Sequence, residues 1–395
     1  MPRDALAGRA AMRLGLPGNW LSLGAIMLTS TIIGMTLAFS FPLLSLVLDH
    51  RGIPADLIGL NSAMNGLAVF VIAPWLPRLV NRLGVARSMA LGQSLCIASL
   101  LALPLEVDLV LWSALRFLLG LGTVLAWVAS ESAVNALAEE ARRGRVIGVY
   151  ATLFCVGYAA GPALVGVTGS EGFLPFALCA SLLALGLLPL LLVRGLDRLM
   201  AEPGRSDLTL VWRQAPVALG AILVFGFVET ICFALLPIYG LRVGYDEVGA
   251  TLLLSALIAG NIIFQLPLGW LADHLPRISV LLGCVAVSLA GVLMWPQAMA
   301  GALVWPLLLI WGGALGGLYT LSQTLLGERF RGSDLAVANT AFVLLYQVGA
   351  MSGPAIGGIA LERLGVPGLP LTMALALAAF LIPLALAGRR RRAPG

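Results

Sequence analysis

Long apolar segments, separated by short polar ones, run along all 395 residues of the chain. Each apolar run is roughly 20 residues or longer, which is the length that an α-helix needs to cross a bilayer. Strands in lipid would have to alternate in polarity and close into a barrel. The pattern therefore predicts an all-α integral membrane protein with twelve transmembrane helices. The predicted spans are residues 20–47, 57–80, 85–105, 109–136, 145–168, 173–194, 215–241, 247–270, 277–295, 301–325, 336–361 and 368–388.

The second half of the chain repeats the first at a constant offset of 192 residues. The segment Gly157–Gly166 matches Gly349–Gly358, and Gly34 matches Gly226 without any gap. One register over two halves indicates an internal duplication. The sequence therefore predicts two pseudo-symmetric six-helix bundles.

The boundary between the two bundles is marked by polarity. Residues 195–214 form the only long polar connection, and they lie between the sixth and seventh predicted spans. We expect an N-terminal bundle over residues 1–194, a linker over 195–214 and a C-terminal bundle over 215–395.

The distribution of charged residues predicts how the chain is oriented in the membrane. Only 11% of the residues are charged, against about 25% in a soluble domain. Of the 24 arginines, twenty lie in the predicted loops on the side of the termini, and Arg51, Arg242 and Arg363 lie opposite. This bias predicts that both termini are cytoplasmic, as in a multi-pass protein of the inner membrane. Because the arginines are scattered over short loops, the net charge of +5 does not indicate nucleic-acid binding.

Polar side chains inside the spans indicate a cavity. Such groups are costly in hydrocarbon unless they face protein or water, and a cavity between two repeats is the layout of an alternating-access carrier. The residues that we expect to line it, together with Glu229 and Arg116, are Trp127, Asn261, Gln265, Tyr319, Gln323, Tyr346 and Gln347.

Three charged residues lie well inside the predicted spans, namely Glu229, Arg116 and Glu131. Glu229 is close to the middle of its span, where a buried carboxyl group can exchange a proton near neutral pH. It could equally form a permanent ion pair, for example with Arg116, or stay neutral. Arg116 could bind an anionic group, tune a proton-carrying carboxylate, or pair with backbone carbonyls. Glu131, nearer the cytoplasmic end of its span, is expected to pair with a loop arginine such as Arg78 or Arg87 in a gate.

Three motifs resemble one family. Gly269-Trp-Leu-Ala-Asp273-His-Leu-Pro-Arg277 is similar to a cytoplasmic loop signature of the major facilitator superfamily, and the segment with Arg78 and Arg82 is a degenerate copy in which Asn81 replaces the aspartate. Arg116 begins a segment similar to the family's Arg-x-x-x-Gly-x-Gly pattern. The resemblance covers essentially the whole chain and implies the fold of that superfamily. It also implies that the loop signature locks the cytoplasmic helix ends.

The third motif suggests a branch of the family. Gly157, Gly161 and Pro162, with the repeat copy Gly353 and Pro354, resemble the motif of the antiporters that export drugs or sugars in exchange for protons. Small residues four apart let helices approach closely, and proline bends a helix. The same residues could also serve ordinary close packing.

The expected function is transport without catalysis. No phosphate-binding loop, nucleophile elbow or zinc pair is visible in the sequence, so we expect neither an enzyme nor a cofactor. The leading hypothesis is proton-coupled efflux of a small organic molecule by a monomer in the lipid bilayer. An uptake symporter for an organic anion or sugar, with Arg116 as the clamp, is the alternative. A non-transporting membrane receptor is a third possibility.

Overall fold

The structure is a computed structural model that describes residues 18–105, 108–138, 142–193 and 208–392. Its described part is helical, with two short 3₁₀ segments at Leu103–Leu105 and Pro189–Leu192. The helices are α1 Gly18–His50, α2 Ala55–Ile72, α3 Leu76–Leu83, α4 Val85–Ala102, α5 Leu109–Leu137, α6 Arg143–Thr168, α7 Leu174–Leu187, α8 Leu208–Gln214, α9 Pro216–Arg242, α10 Glu247–His274, α11 Arg277–Ala298, α12 Val304–Arg329, α13 Gly332–Leu364 and α14 Gly368–Arg392.

The membrane-spanning pattern agrees with the sequence. Within the described residues, eleven helices are long and apolar enough to cross a bilayer, and a shorter apolar stretch at Gly368–Ile382 supplies the twelfth. The helical fold is therefore confirmed. Two short helices, α3 and α8, lie outside the spans. Helix α8 occupies the end of the predicted linker, and residues 194–207 lie outside the described part of the chain.

The second predicted span is shorter than expected. The apolar run suggested one helix over residues 57–80, but α2 ends at Ile72 and α3 starts at Leu76. Pro74 lies two residues after the end of α2, and because proline has no backbone N–H it cannot continue the helical hydrogen-bond ladder beyond Ala73. The break places the arginines of the degenerate loop signature on a separate amphipathic helix, α3.

The duplication is visible in the helix packing of the two halves. A Cβ placed on Gly34 would lie 3.1 Å from the ring of Phe154, and one on Gly226 would lie 3.0 Å from the ring of Tyr346. Both members of the second pair lie 192 residues after those of the first. Helix α1 therefore packs on α6 as α9 packs on α13.

The two halves meet along two seams that the same pseudo-symmetry relates. Helix α6 contacts α10 where Gly166 faces Val248, and α13 contacts α2 where Gly358 faces Asp56. The repeat relates the two contacts, because Gly358 lies 192 residues after Gly166 and Val248 lies 192 residues after Asp56. These contacts lie at the helix ends away from the chain termini, so the bundles are closed on that side.

The glycines of the α6 motif give the first testable prediction. A Cβ on Gly161 would lie 2.6 Å from the backbone oxygen of Met35 and 2.6 Å from the backbone nitrogen of Phe39. Neither backbone atom can move without shifting α1, so Gly161→Ala is expected to cost about 1–3 kcal/mol through overpacking. Thermal unfolding of the detergent-solubilised protein measures this loss.

Gly148 provides the matched control on the same helix. Nothing lies within 4 Å of a Cβ at this position, and alanine favours helix over glycine by about 1 kcal/mol. Gly148→Ala should therefore leave the unfolding temperature unchanged or raise it slightly. An unchanged unfolding temperature for Gly161→Ala would show that the stability of the fold does not depend on the close approach of α1 and α6.

Candidate functional site

A cavity of about 100 Å³ lies where the two halves meet. Side chains from α1, α2 and α5, and from α6, α9 and α13, line it. Of the residues expected from sequence, Trp127, Tyr346 and Gln347 are in its wall. The cavity is therefore built from both repeats. Helices α10 and α12, whose polar residues the sequence also assigned to the cavity, do not line it.

Glu229 on α9 is held beside this cavity by one of its wall residues. The Tyr346 hydroxyl donates a hydrogen bond of 2.8 Å to Glu229 Oε2. Glu229 is half-buried, and the ion pairs found among the described residues all involve other carboxylates. In the described part of the chain, the carboxyl group of Glu229 thus has a neutral hydrogen-bond partner and no basic one.

Aromatic rings line the cavity, and nothing in the sequence singled out the two phenylalanines among them, Phe41 and Phe233. Phe154 stacks on Trp127 and Tyr158, with ring centroids 6.4 Å and 5.9 Å away. Tyr158 meets Phe233 of the other half at 5.2 Å, and Phe233 meets Phe41 at 5.8 Å. Phenylalanine is common in apolar spans, so its presence carried no signal. Its position beside the seam is a tertiary fact.

A second aromatic group stands in the C-terminal half. Phe225 contacts Tyr319 at 5.5 Å and Tyr346 at 6.1 Å, and Tyr319 meets Phe342 at 5.4 Å. The side chain of Gln323 lies beside the Tyr319 hydroxyl. Of the predicted residues on α12, Tyr319 therefore lies near the Glu229–Tyr346 pair, and Gln323 lies beside Tyr319.

Arg116 lies in the packed N-terminal half and does not pair with Glu229. Its side chain is 1% exposed, its Nη1 donates to Asn61 Oδ1 at 3.2 Å, and its guanidinium lies 5.7 Å from the ring centre of Phe41. Its Nη2 has no hydrogen-bond partner among the described residues. Phe41 lines the cavity whereas Arg116 does not.

In this conformation, Glu131 interacts with tyrosines of both halves. It forms no ion pair with Arg78 or Arg87 among the described residues. Its carboxylate instead interacts electrostatically with the hydroxyls of Tyr150 and Tyr319, one from each half. Glu131 is exposed in this conformation, and its expected gate pair stays a prediction.

Two polar residues of α10 stand apart from the cavity wall. Asn261 packs against α12, because a Cβ on Gly316 would overlap its side-chain amide. Gln265 is exposed and is not among the residues that line the cavity. A helical pattern shows which residues share a face, but not which neighbour that face meets, so the sequence assigned both to the cavity.

The loop signature after α10 is only partly engaged. Arg277 forms an ion pair with Glu328 at the end of α12. Asp273 forms no ion pair among the described residues, and Gly269 has open space around it. The signature thus ties α11 to α12 in this conformation, without the carboxylate contact that the resemblance implied.

Ion pairs accompany the closed end of the bundle. Arg242 Nη2 lies 3.4 Å from Glu362 Oε2 and 4.0 Å from Asp49 Oδ1, and Glu362 Oε2 also accepts a 3.0 Å bond from the Ala55 amide. The Arg242–Asp49 pair and the Ala55–Glu362 bond cross from one half to the other, whereas the Arg242–Glu362 pair lies within the C-terminal half. Partly exposed pairs contribute only about 0.2–1 kcal/mol, so the interlocked helices account for most of the closure.

Comparison with known proteins gives one family. The profile of the Major Facilitator Superfamily matches residues 26–354 and 252–395. The chain is 26% identical over 345 residues to the "Uncharacterized MFS-type transporter YfkF" of Bacillus subtilis (strain 168), covering 84% of this chain and 87% of that one. It is 28% identical over 344 residues to the "Uncharacterized MFS-type transporter YcaD" of Escherichia fergusonii, covering 86% and 89%.

Solved structures of transporters share the fold. A mutant of the nucleoside transporter NupG superposes with a TM-score of 0.79 at 12% identity, covering 94% of this chain and 100% of that one. A bacterial homolog of the human lysosomal transporter Spinster, inward-facing and unoccupied, gives 0.76 at 13% identity, covering 94% and 96%. At these identities the likeness concerns the fold alone.

Proposed function

The chain belongs to the major facilitator superfamily and is a secondary transporter, and we propose that it exports a small organic molecule in exchange for protons. The cavity between the halves is the binding site. Glu229 binds the proton, and substrate and proton occupy neighbouring positions around Tyr346. With the termini in the cytoplasm, as the arginine distribution indicates, the cavity is reached from the cytoplasmic side.

The observation that supports this proposal is the environment of Glu229. Its Oε2 is bonded to the neutral Tyr346 hydroxyl, and no basic side chain among the described residues pairs with it. A carboxylate in a membrane interior is costly without a counter-charge. Binding a proton removes that cost, so the charge of Glu229 responds to substrate and solvent entering the cavity.

The uptake alternative has less support. An organic anion would need the guanidinium of Arg116 in the cavity wall, but Arg116 is bonded to Asn61 and packed on Phe41. Export itself is suggested by the resemblance of the Gly161-Pro162 segment to the antiporter motif. A receptor would not need a carboxylate whose charge changes with occupancy.

A proton-flux assay tests the proposal. The purified protein is reconstituted into liposomes that hold a preset pH gradient and a pH-sensitive dye, and a panel of aromatic compounds is added. We expect at least one compound to release the gradient only in vesicles that contain the protein. Substrate-driven alkalinisation on the side of compound addition, which marks symport, would contradict the exchange direction. A compound that is bound but moves no protons would favour the receptor.

A further inference from the structure

Two polar side chains of α2 line the cavity and carry buried oxygen atoms that bond to none of the described residues. Ser62 is 2% exposed, and its hydroxyl makes no hydrogen bond among the described residues. The Oδ1 atom of Asn65 is also buried and has no partner. Both residues line the cavity, and their spacing of three places them on one face of the helix. Buried polar groups in folded proteins are almost always satisfied, so an external group is expected here.

A third such side chain comes from the opposite half. Gln347 on α13 is 7% exposed and lines the same cavity. Its amide makes no hydrogen bond with the described protein, although Tyr346 next to it does. Helices α2 and α13 form one of the two seams, and a Cβ on Gly66 would lie 2.9 Å from the Met351 side chain. The polar trio of Ser62, Asn65 and Gln347 therefore spans the junction of the halves.

Packing of the seam does not require these polar groups. The positions related to Ser62 and Asn65 by the repeat are Leu254 and Leu257, and the position related to Gln347 is Cys155. The second seam, between α6 and α10, is thus formed with apolar residues at the equivalent places. An unmade buried hydrogen bond costs about 1–3 kcal/mol, and the apolar residues at the equivalent positions of the second seam do not carry this cost.

We infer that the trio of Ser62, Asn65 and Gln347 is a recognition subsite for a neutral group that both donates and accepts hydrogen bonds, carried by a flat aromatic substrate. A carboxamide offers an N–H and a C=O side by side, which matches an amide or lactam edge. The rings of Phe41, Trp127, Tyr158 and Phe233 provide apolar faces for the rest of the molecule.

This subsite deepens the proposed function and rests on the same cavity as the transport site. Its position also explains how substrate could act on the conformation. A molecule bonded to Asn65 in one half and Gln347 in the other holds the two halves together at the seam. Binding then favours the conformation in which both side chains line one cavity, because a ligand stabilises the conformation for which it has the higher affinity.

The test compares two small molecules that differ by one hydrogen-bond donor. Binding of 2-quinolone, a lactam, and of N-methyl-2-quinolone is measured on the full-length protein in nanodiscs by calorimetry, without a pH gradient. We expect 2-quinolone to bind about five- to tenfold more tightly, because the methyl group removes the lactam N–H. In Asn65→Leu and Gln347→Leu this preference should fall to about onefold.

Gln265→Leu is the matched control, since Gln265 is an exposed amide that does not line the cavity. It should keep the preference. The Asn65 and Gln347 variants should unfold at no lower temperature than the parent, because their amides have no protein partners to lose. A marked fall in both unfolding temperatures, or a preference that survives in both variants, would overturn the subsite.

The same probes separate this inference from proton coupling. Equal binding of the two quinolones, or no binding of either, overturns the proposed substrate class even if another compound drives proton flux. A clear preference for 2-quinolone supports the subsite even if no proton flux is found, in which case only the coupling proposal fails.

Discussion

Replacement of Glu229 by glutamine is expected to abolish substrate-dependent proton release in proteoliposomes. Glutamine keeps the size of the side chain and can accept the 2.8 Å hydrogen bond from Tyr346, but it cannot bind and release a proton. The expected signal is that of protein-free vesicles. Substrate binding, measured without a gradient, should persist, because the amide resembles the protonated carboxyl group in charge and shape.

Two further variants make this result specific. Glu171→Gln changes an exposed carboxylate outside the helices, and it should retain the full proton signal. Tyr346→Phe removes only the hydroxyl bonded to Glu229, and it should shift the pH dependence of transport without abolishing exchange. Proton release by Glu229→Gln at the level of the parent would show that the coupling group lies elsewhere in the chain.

Replacement of Gly59 by leucine is expected to stop transport by preventing closure of the seam between α2 and α13. A Cβ on Gly59 would overlap the carbonyl oxygen of Pro354 and lie 3.2 Å from the Cα of Gly358. These are backbone atoms of the other half, so they cannot move aside as a flexible side chain does. The conformation described here becomes inaccessible, and the opposite one is favoured.

Labelling of a single cysteine measures this shift. Ala350→Cys, in a background without the five natural cysteines, places a thiol in the cavity wall. In the parent it should react with a membrane-impermeant maleimide from the side of the termini, and in Gly59→Leu from the other side. Gly283→Leu is the control, because nothing lies within 4 Å of that Cβ position. Labelling of the Gly59 variant from the parent's side would contradict the seam as a gate.

The loop after α10 carries the family signature, but its charged residues are not all in contact. Arg277 and Asp273 belong to one motif, yet among the described residues Arg277 forms an ion pair, with Glu328, and Asp273 forms none. A motif specifies which groups are available. Which of them are in contact depends on the state of the two bundles, and the end of the molecule that carries the signature is not the end that the seams close.

Helical periodicity and the constant offset of 192 residues determined the helices and the duplication, because both depend on the chemistry of the chain itself. Residues such as Gly161 must be small wherever helices approach closely, so their pattern could be read directly. The sequence also singled out Glu229 and Tyr346 as polar residues in apolar spans, although it did not pair them.

Only the tertiary structure decided which helix faces meet. Asn261 and Gln347 are both amides within apolar spans, yet one packs against Gly316 and the other lines the cavity. The sequence left open whether Arg116 pairs with Glu229, and in the structure Arg116 is bonded to Asn61. Periodicity specifies a face within one helix, whereas the neighbour of that face is set by the packing of all helices together, and this is why the cavity could not be drawn from the sequence.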